Sequence, residues 1–201
     1  MATAYSHYLL GLIAVVFLLQ VATGLENGVI TSSLILEPAT FFSEPWRIIT
    51  SMLLHGSFFH LFFNGFALLM FGPLLEQRIG RKNFIGVFLA AGVIGALLYY
   101  ATIVIGIIPP LPALGASAGI YGILGALAVL FPELKLFLFG LIPLKMKYAA
   151  VLWFFLELFG SFNAYSGIGS AAHLGGLLLG LAAGFYFKKP PTQKYEVQFI
   201  E

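Results

Sequence analysis

Six long apolar segments separated by polar connections restrict how this chain can fold. Hydrophobic residues make up 60% of its 201 residues and charged residues only 9%, whereas about a quarter of a soluble domain is charged. About 20 apolar residues cross a bilayer as a helix, which satisfies its own backbone hydrogen bonds. We therefore predict an all-α polytopic membrane protein with six helices, at about residues 8–23, 58–76, 84–107, 115–131, 148–162 and 168–187.

We expect residues 1–201 to form a single transmembrane domain, ending in a short polar tail, 188–201. The first connection, residues 24–57, is the longest. It contains apolar pieces beside its Glu and Pro residues, so we expect it to lie partly in the membrane interface, with Trp46 as an anchor.

The basic residues predict the orientation of the helices. Nine lie in the tail and in the connections on one side of the predicted bundle: Arg78, Arg81, Lys82, Lys135, Lys145, Lys147, Lys188, Lys189 and Lys194. Only Arg47 lies on the other side. Because Lys and Arg concentrate in cytoplasmic connections, we expect a multi-pass protein of the cell membrane with both termini in the cytoplasm.

Missing residue types exclude several kinds of site. The chain has no Cys and no Asp, which excludes disulfides, cysteine nucleophiles, Ser-His-Asp triads and aspartyl dyads. A zinc intramembrane protease would need a His-Glu-x-x-His helix, which is absent, and His55 and His60 are poorly spaced to share a metal. The inverted repeats of a secondary transporter are not visible either. We predict no metal, no cofactor and no nucleic-acid partner.

A few polar side chains lie inside the apolar segments. Ser117 is near the start of the predicted fourth helix, His173 lies in the sixth, and His60 and Asn64 share one face of the second. A serine among glycines usually serves close helix packing. However, the predicted topology places all four side chains in the outer half of the bilayer, where polar groups are costly and usually functional.

Glycines at helical spacing predict which helices meet. Gly176, Gly180 and Gly184 recur every four residues on the face of the sixth helix that carries His173. The fourth helix has its own series: Gly115, Gly119, Gly122 and Gly125. Such glycines permit close helix contact. If these two helices pack together, Ser117 and His173 can come within hydrogen-bonding distance.

This arrangement suits nucleophilic catalysis. A serine hydroxyl becomes a good nucleophile when an adjacent base takes its proton, and neutral His is such a base. His60, the Asn64 amide and the start of the fourth helix can stabilise an oxyanion. Tyr121, one turn after Ser117, can pack on the His173 ring and hold it in place of the missing Asp.

In these residues the chain resembles the rhomboid family of intramembrane serine proteases, in its minimal six-helix prokaryotic type. The matching pieces are Trp46-Arg47, His55, His60-x-x-x-Asn64, Glu76-x-Arg78, Gly115-x-Ser117 with Gly119 and Tyr121, and Ala172-His173 with Gly176. The family usually has Gly directly after the nucleophile, whereas this chain has Ala118.

The resemblance implies a rhomboid-like bundle with a Ser117 nucleophile, a His173 base and an oxyanion site made by His60, Asn64 and the Ser117 backbone N–H. It also implies cleavage of single-pass transmembrane proteins near the outer membrane face, gated by the fifth helix and the loop above the fourth. We expect the minimal core, without an added soluble domain.

Other roles are expected to be structural. We expect His55 to tie the first connection to the second helix through hydrogen bonds, and Glu76 and Arg78 to cap and bridge the cytoplasmic end of that helix. Three roles are open for Glu157 in the fifth helix: reaching to the interface, hydrogen bonding within the bundle, or influencing the gate.

The alternative function is that of a catalytically inactive rhomboid-fold protein, which binds transmembrane helices in the lipid bilayer without cleaving them. Retention of both Ser117 and His173 argues against it. No sequence feature indicates an oligomer.

Overall fold

The computed structural model of the protein describes residues 4–138, 141–163 and 169–188. The predicted tail therefore lies outside the described residues from Lys189 onward, as do residues 164–168 before the last helix.

Eight α-helices form most of the described chain: α1 Tyr5–Thr23, α2 Val29–Leu34, α3 Arg47–Thr50, α4 Phe58–Ile79, α5 Arg81–Val104, α6 Ser117–Leu130, α7 Met146–Gly160 and α8 Ser170–Phe187. Two short 3-10 turns, Pro38–Thr40 and Ser51–Leu53, lie in the first connection. Strands β1 Lys135–Leu138 and β2 Ile142–Lys145 pair antiparallel between α6 and α7, with Lys135 opposite Lys145.

The six predicted helices correspond to α1, α4, α5, α6, α7 and α8, and the all-α class is confirmed. In the described part of the chain, four helices are long and apolar enough to cross a membrane: α1, α4, α5 and α8. Helices α6 and α7 have only 14 and 15 residues. Six membrane crossings therefore remain a prediction.

Local sequence determines where the helices around the site begin. The Ser57 hydroxyl accepts the His60 backbone N–H at 3.1 Å and so caps the start of α4. Gly115 has a φ of +123°, which favours glycine. This conformation is not helical, so α6 begins at Ser117, two residues later than predicted.

Two parts of the fold were not predicted. The first connection contains α2 and α3, which are joined by Arg47. Its Nη1 donates to the carbonyls of Ser32 at 2.8 Å and Ile35 at 3.0 Å, and its Nε lies 2.6 Å from the Glu44 carboxylate. The β1–β2 hairpin is the second such part, because its strands have only four residues each and β2 contains Pro143.

Helix α6 is largely buried and packs against both α8 and α5, which also touch each other where Gly175 faces Gly95. Its contact with α8 brings backbone against backbone. A Cβ added to Gly176 would lie 2.1 Å from the Ala118 carbonyl oxygen, and one added to Gly180 would lie 2.1 Å from the Gly122 carbonyl oxygen. The predicted close approach of these two helices is present in the structure.

The spacing suggested that the glycines of α6 all face α8, but they do not. A Cβ at Gly125 would meet the Leu177 carbonyl of α8 at 2.5 Å. Gly119 and Gly122 instead leave room for Phe88 and Ala91 of α5. The glycine series of α6 therefore serves two neighbouring helices, because α6 is enclosed on both sides.

Candidate active site

Ser117 and His173 meet at the starts of two helices. Ser117 is the first residue of α6, and His173 lies in the first turn of α8. The Ser117 Oγ is 2.7 Å from the His173 Nε2, a hydrogen-bonding distance. The contact between Gly176 and Ala118, next along the same two helices, holds the two side chains together.

The imidazole ring of His173 is held on its flat face by Tyr121. The two rings stack with centroids 4.5 Å apart and planes 10° from parallel. Tyr121 is one turn along α6 from Ser117, so one helix provides both the hydroxyl and the surface on which the ring rests.

Glu157 of α7 lies against the other ring nitrogen of His173. Its side chain is buried, with 7% of the residue exposed. The Glu157 Oε1 is 3.2 Å from the His173 Nδ1 and also accepts the Tyr121 hydroxyl. The contact with Nδ1 has the distance of an ion pair, but not the alignment of a directed hydrogen bond.

Of the three roles open for Glu157, the structure shows hydrogen bonding within the bundle. Sequence reasoning missed its contact with His173. The available signal was an acidic residue inside an apolar helix, in a chain that has no Asp.

A cavity of about 530 Å³ opens beside the Ser117–His173 pair, and His60, Asn64 and Tyr121 also line it. Asn64 is buried, and its Nδ2 has no hydrogen-bond partner among the described residues. An amide donor is therefore available in the same cavity as the serine hydroxyl. The first backbone N–H groups of α6 also have no acceptor within that helix.

Gly115 makes room for His60. A Cβ at Gly115 would lie 2.8 Å from the His60 Nε2. The His60 Nδ1 is 3.5 Å from the Gly56 backbone N–H, which donates to it. The side chain of His60 is therefore placed between the first connection and the loop that leads into α6.

His55 is fully buried, but the prediction of hydrogen bonds to the second helix is wrong. Its backbone N–H donates to the Gln20 Oε1 of α1 at 3.0 Å. Among the described residues its two ring nitrogens have no hydrogen-bond partner, and the ring packs edge-on to His60 at 4.9 Å. Burial, followed by the proximity of His60, lowers the pKa of His55 to about 4.

Ala118, which stands where the family usually has Gly, is accommodated by a glycine of α5. It is the second residue of α6, so its backbone is helical. A Cβ at Gly95 would lie 2.8 Å from the Ala118 methyl group. The methyl group thus occupies space that a side chain at Gly95 would have filled.

The remaining motif residues lie away from the pair. Trp46 is 52% exposed just before α3. Glu76 is near the end of α4, where its carboxylate accepts the backbone N–H groups of Tyr5 at 2.8 Å and Ser6 at 3.0 Å. It therefore caps α1, because helix starts carry free N–H donors.

The predicted bridge between Glu76 and Arg78 is wrong. Glu76 lies 3.6 Å from the Arg81 Nε. Arg78 is exposed and makes no ion pair within 4 Å in the described part of the chain. The reason is the turn at Gly80, which directs α5 back so that Arg81 faces the carboxylate.

The site thus combines a serine hydroxyl on a ring nitrogen of His, a carboxylate beside the second nitrogen, and amide donors nearby. This set is suited to acyl transfer. Within the described ranges, no group of three or more His, Asp and Glu side chains is placed to hold a metal ion.

Comparison with known proteins gives a family match over most of the chain. Residues 43–190 match the family model described as the Rhomboid domain. The putative rhomboid protease YdcA of Bacillus subtilis is 34% identical over 155 residues, which cover 76% of this chain and 72% of that protein.

Of two further relatives, one is named a protease and the other is named inactive. The rhomboid protease GluP of Bacillus subtilis is 31% identical over 175 residues, which cover 83% of this chain but only 31% of GluP. The inactive RHOMBOID-like protein 8 of Arabidopsis thaliana is 32% identical over 84 residues, covering 42% of this chain and 22% of that protein. The chain therefore spans less than a third of the length of each of these two relatives.

Proposed function

Because the chain belongs to the rhomboid family, we propose that it is an intramembrane serine endopeptidase that cleaves single-pass transmembrane proteins near the outer membrane face. The observation that carries this proposal is the 2.7 Å distance between the Ser117 Oγ and the His173 Nε2 beside a cavity. A serine that only packs helices does not need an unprotonated ring nitrogen at its hydroxyl.

In this proposal Ser117 is the nucleophile and His173 is the base. With its proton on Nδ1, His173 accepts the hydroxyl proton at Nε2 while Oγ attacks the scissile carbonyl carbon. His173 then donates that proton to the leaving amine as the C–N bond breaks. Water, deprotonated by the same nitrogen, hydrolyses the acyl-enzyme and restores the Ser117 hydroxyl.

His60, Asn64 and the Ser117 backbone N–H would bind the oxyanion of the tetrahedral intermediate. The unpaired Asn64 amide supports this role, because a buried donor without a partner is costly unless it has a ligand. A preorganised donor removed from an oxyanion site typically costs about 10²–10³ in kcat.

The substrate would be a membrane-spanning helix that unwinds locally, since Ser117 needs extended backbone to attack. A segment with Gly, Ser or Pro near its outer end should be cleaved more readily than a Leu-rich helix. The nine-to-one distribution of basic residues supports cytoplasmic termini in a cell membrane.

The test is labelling of the detergent-purified protein with a fluorophosphonate, which reacts with activated serines. We expect the wild type to be labelled and both Ser117→Ala and His173→Ala to be unlabelled while remaining folded. Cleavage of a model single-pass substrate should be lost in the same two variants. Near-normal cleavage by either variant would contradict the assignment.

The second candidate function is that of a non-cleaving binder of transmembrane helices. This candidate is retained because one relative, RHOMBOID-like protein 8, is named as inactive. If the folded wild type is labelled neither by the fluorophosphonate nor by a second small electrophile, while still binding a transmembrane peptide, this function replaces the first.

A further inference from the structure

Glu157 is a buried carboxylate that the reaction of Ser117 and His173 does not itself require. An acidic side chain inside a membrane helix is expensive unless it is paired. Among the described residues, its single ion-pair partner within 4 Å is His173. Its carboxylate accepts the Tyr121 hydroxyl, and the Ser170 side chain of α8 is a further polar neighbour. His173 and Tyr121 belong to the site, although Glu157 comes from a different helix.

We propose that Glu157 is a positioning residue for His173, in an inference that rests on the proposed function. Its Oε1 lies 3.2 Å from Nδ1 and keeps the proton of the neutral ring on that nitrogen. Nε2 is then free to accept the Ser117 proton. Transfer of that proton creates an imidazolium ion, which a carboxylate beside Nδ1 stabilises.

Tyr121 fixes both partners at once. Its ring stacks on His173, while its hydroxyl donates to the same Glu157 oxygen that faces Nδ1. A single side chain of α6 therefore sets the orientation of the imidazole and the position of the carboxylate. The ring stack alone would leave the imidazole free to rotate within its plane, whereas the carboxylate at Nδ1 opposes that rotation.

A purely structural role would make a different demand on this residue. Tying α7 to α6 needs one acceptor for the Tyr121 hydroxyl, and a neutral amide provides it as well as a carboxylate does. The negative charge beside Nδ1 is the feature that only the positioning role requires. A substitution that removes the negative charge but keeps a hydrogen-bond acceptor therefore distinguishes the positioning role from the structural one.

The experiment compares Glu157→Gln, Glu157→Asp, Tyr121→Phe and Ser161→Ala with the wild type. Ser161→Ala is the matched control, because it removes a buried hydroxyl that donates to the Glu157 backbone carbonyl at 2.6 Å without touching the charge. The readouts are the rate constant of fluorophosphonate labelling, kcat and KM for a model single-pass substrate, and the melting temperature.

We expect Glu157→Gln to lower the labelling rate and kcat by up to about a hundredfold, as a misplaced catalytic group does, with KM and the melting temperature nearly unchanged. Glu157→Asp should recover part of the loss because it restores the charge. Tyr121→Phe should lose less than Glu157→Gln, and Ser161→Ala should match the wild type.

Labelling of Glu157→Gln at the wild-type rate would overturn the inference while leaving the proposed function intact. If Glu157→Gln does not fold, Tyr121→Phe and Glu157→Asp test the inference in its place. An equal loss in Tyr121→Phe and Glu157→Asp, accompanied by a lower melting temperature, would show that the residue only ties the helices together. An unlabelled wild type would overturn the proposed function, and this inference with it.

Discussion

Helix α8 is held in different ways by two of its neighbours, α6 and α7. Its contact with α6 is made by glycines, so that Gly176 and Gly180 lie against carbonyl oxygens with no side chain between them. Its contact with α7 depends on side chains, including Glu157 beside His173. The outer face of α7 is exposed, with Phe155 at 48% and Phe159 at 69%.

Two requirements of the site are therefore met by different contacts of α8. The distance between Ser117 and His173 depends on a backbone contact that cannot relax. The chemical environment of His173 depends on α7, which packs through Met146, Ala149 and Ala150 near its start and reaches His173 through the side chain of Glu157. A displacement of α7 would therefore change the surroundings of the imidazole before it changed the distance between serine and histidine.

The largest effect should come from disrupting the backbone contact. In Gly176→Ala the new methyl group would overlap the Ala118 carbonyl oxygen, at 2.1 Å. We expect a loss of about 1–3 kcal/mol or more in the free energy of unfolding, together with loss of fluorophosphonate labelling as the two helices separate. Thermal unfolding in detergent and the labelling assay measure these two quantities.

Gly86→Ala is the matched control for that variant. Gly86 also lies within a membrane helix, α5, but a Cβ there meets nothing within 4 Å. Since Ala has the higher helix propensity, its melting temperature should equal or slightly exceed that of the wild type. A similar loss in both variants would show that the contact with α6 is not what makes Gly176 necessary.

A second difference is sensitivity to pH. The glycine contact has no titratable group, whereas the buried His55, which packs behind the cavity residue His60, has a pKa of about 4. An unfolded His titrates near 6.5, so between these values the unfolded chain binds more protons. The free energy of unfolding should therefore fall by up to about 3 kcal/mol as the pH drops from 6.5 to 4.

Melting temperatures between pH 7 and pH 4 test this expectation. His55→Gln removes the titrating group, so its melting temperature should depend less on pH over the same range. If His55→Gln has the same pH dependence as the wild type, another titrating group causes the loss of stability at low pH.

The smallest effect should come from the start of α7. Glu133 is exposed, and hydrogen bonds from Lys145 and then Lys147 lower its pKa to about 2. Because exposed ion pairs contribute little to stability, Glu133→Gln should hardly change the melting temperature at physiological salt. It should leave the labelling rate unchanged as well. A clear fall in labelling would mean that the hairpin helps to hold α7 at the site.

The sequence predicted those parts of the structure that depend on spacing along one helix. The apolar segments predicted six helices, of which four are long enough to cross a membrane, and the glycines of α8 predicted its contact with α6, which brings Ser117 and His173 together. Features that depend on how separate helices are rotated were not predictable. The contact of Glu157 with His173 belongs to this group, because no spacing relates α7 to α8.

Contacts between side chains and backbone groups were equally unpredictable from the sequence. Glu76 binds the N–H groups at the start of α1, and a backbone donor leaves no mark in the sequence. Arg78 was the expected partner because it is near in sequence, but the turn at Gly80 makes Arg81 the nearer cation. Gly115 was expected to serve close contact with α8, but it lies before α6, where its positive φ and the nearby His60 ring both require a residue without a side chain.

The shortness of α6 bears on the supply of water. Fourteen residues extend about 21 Å, whereas the hydrocarbon core of a bilayer is about 30 Å thick. If the inner end of α6 reaches one boundary of that core, Ser117 lies below the other. Hydrolysis consumes one water molecule for each bond broken, and lipid provides none. A cavity of about 530 Å³ lined by polar groups such as Ser57, His60 and Asn64 can hold several water molecules. The protein would thus keep a store of its second reactant at a depth where the surroundings are dry.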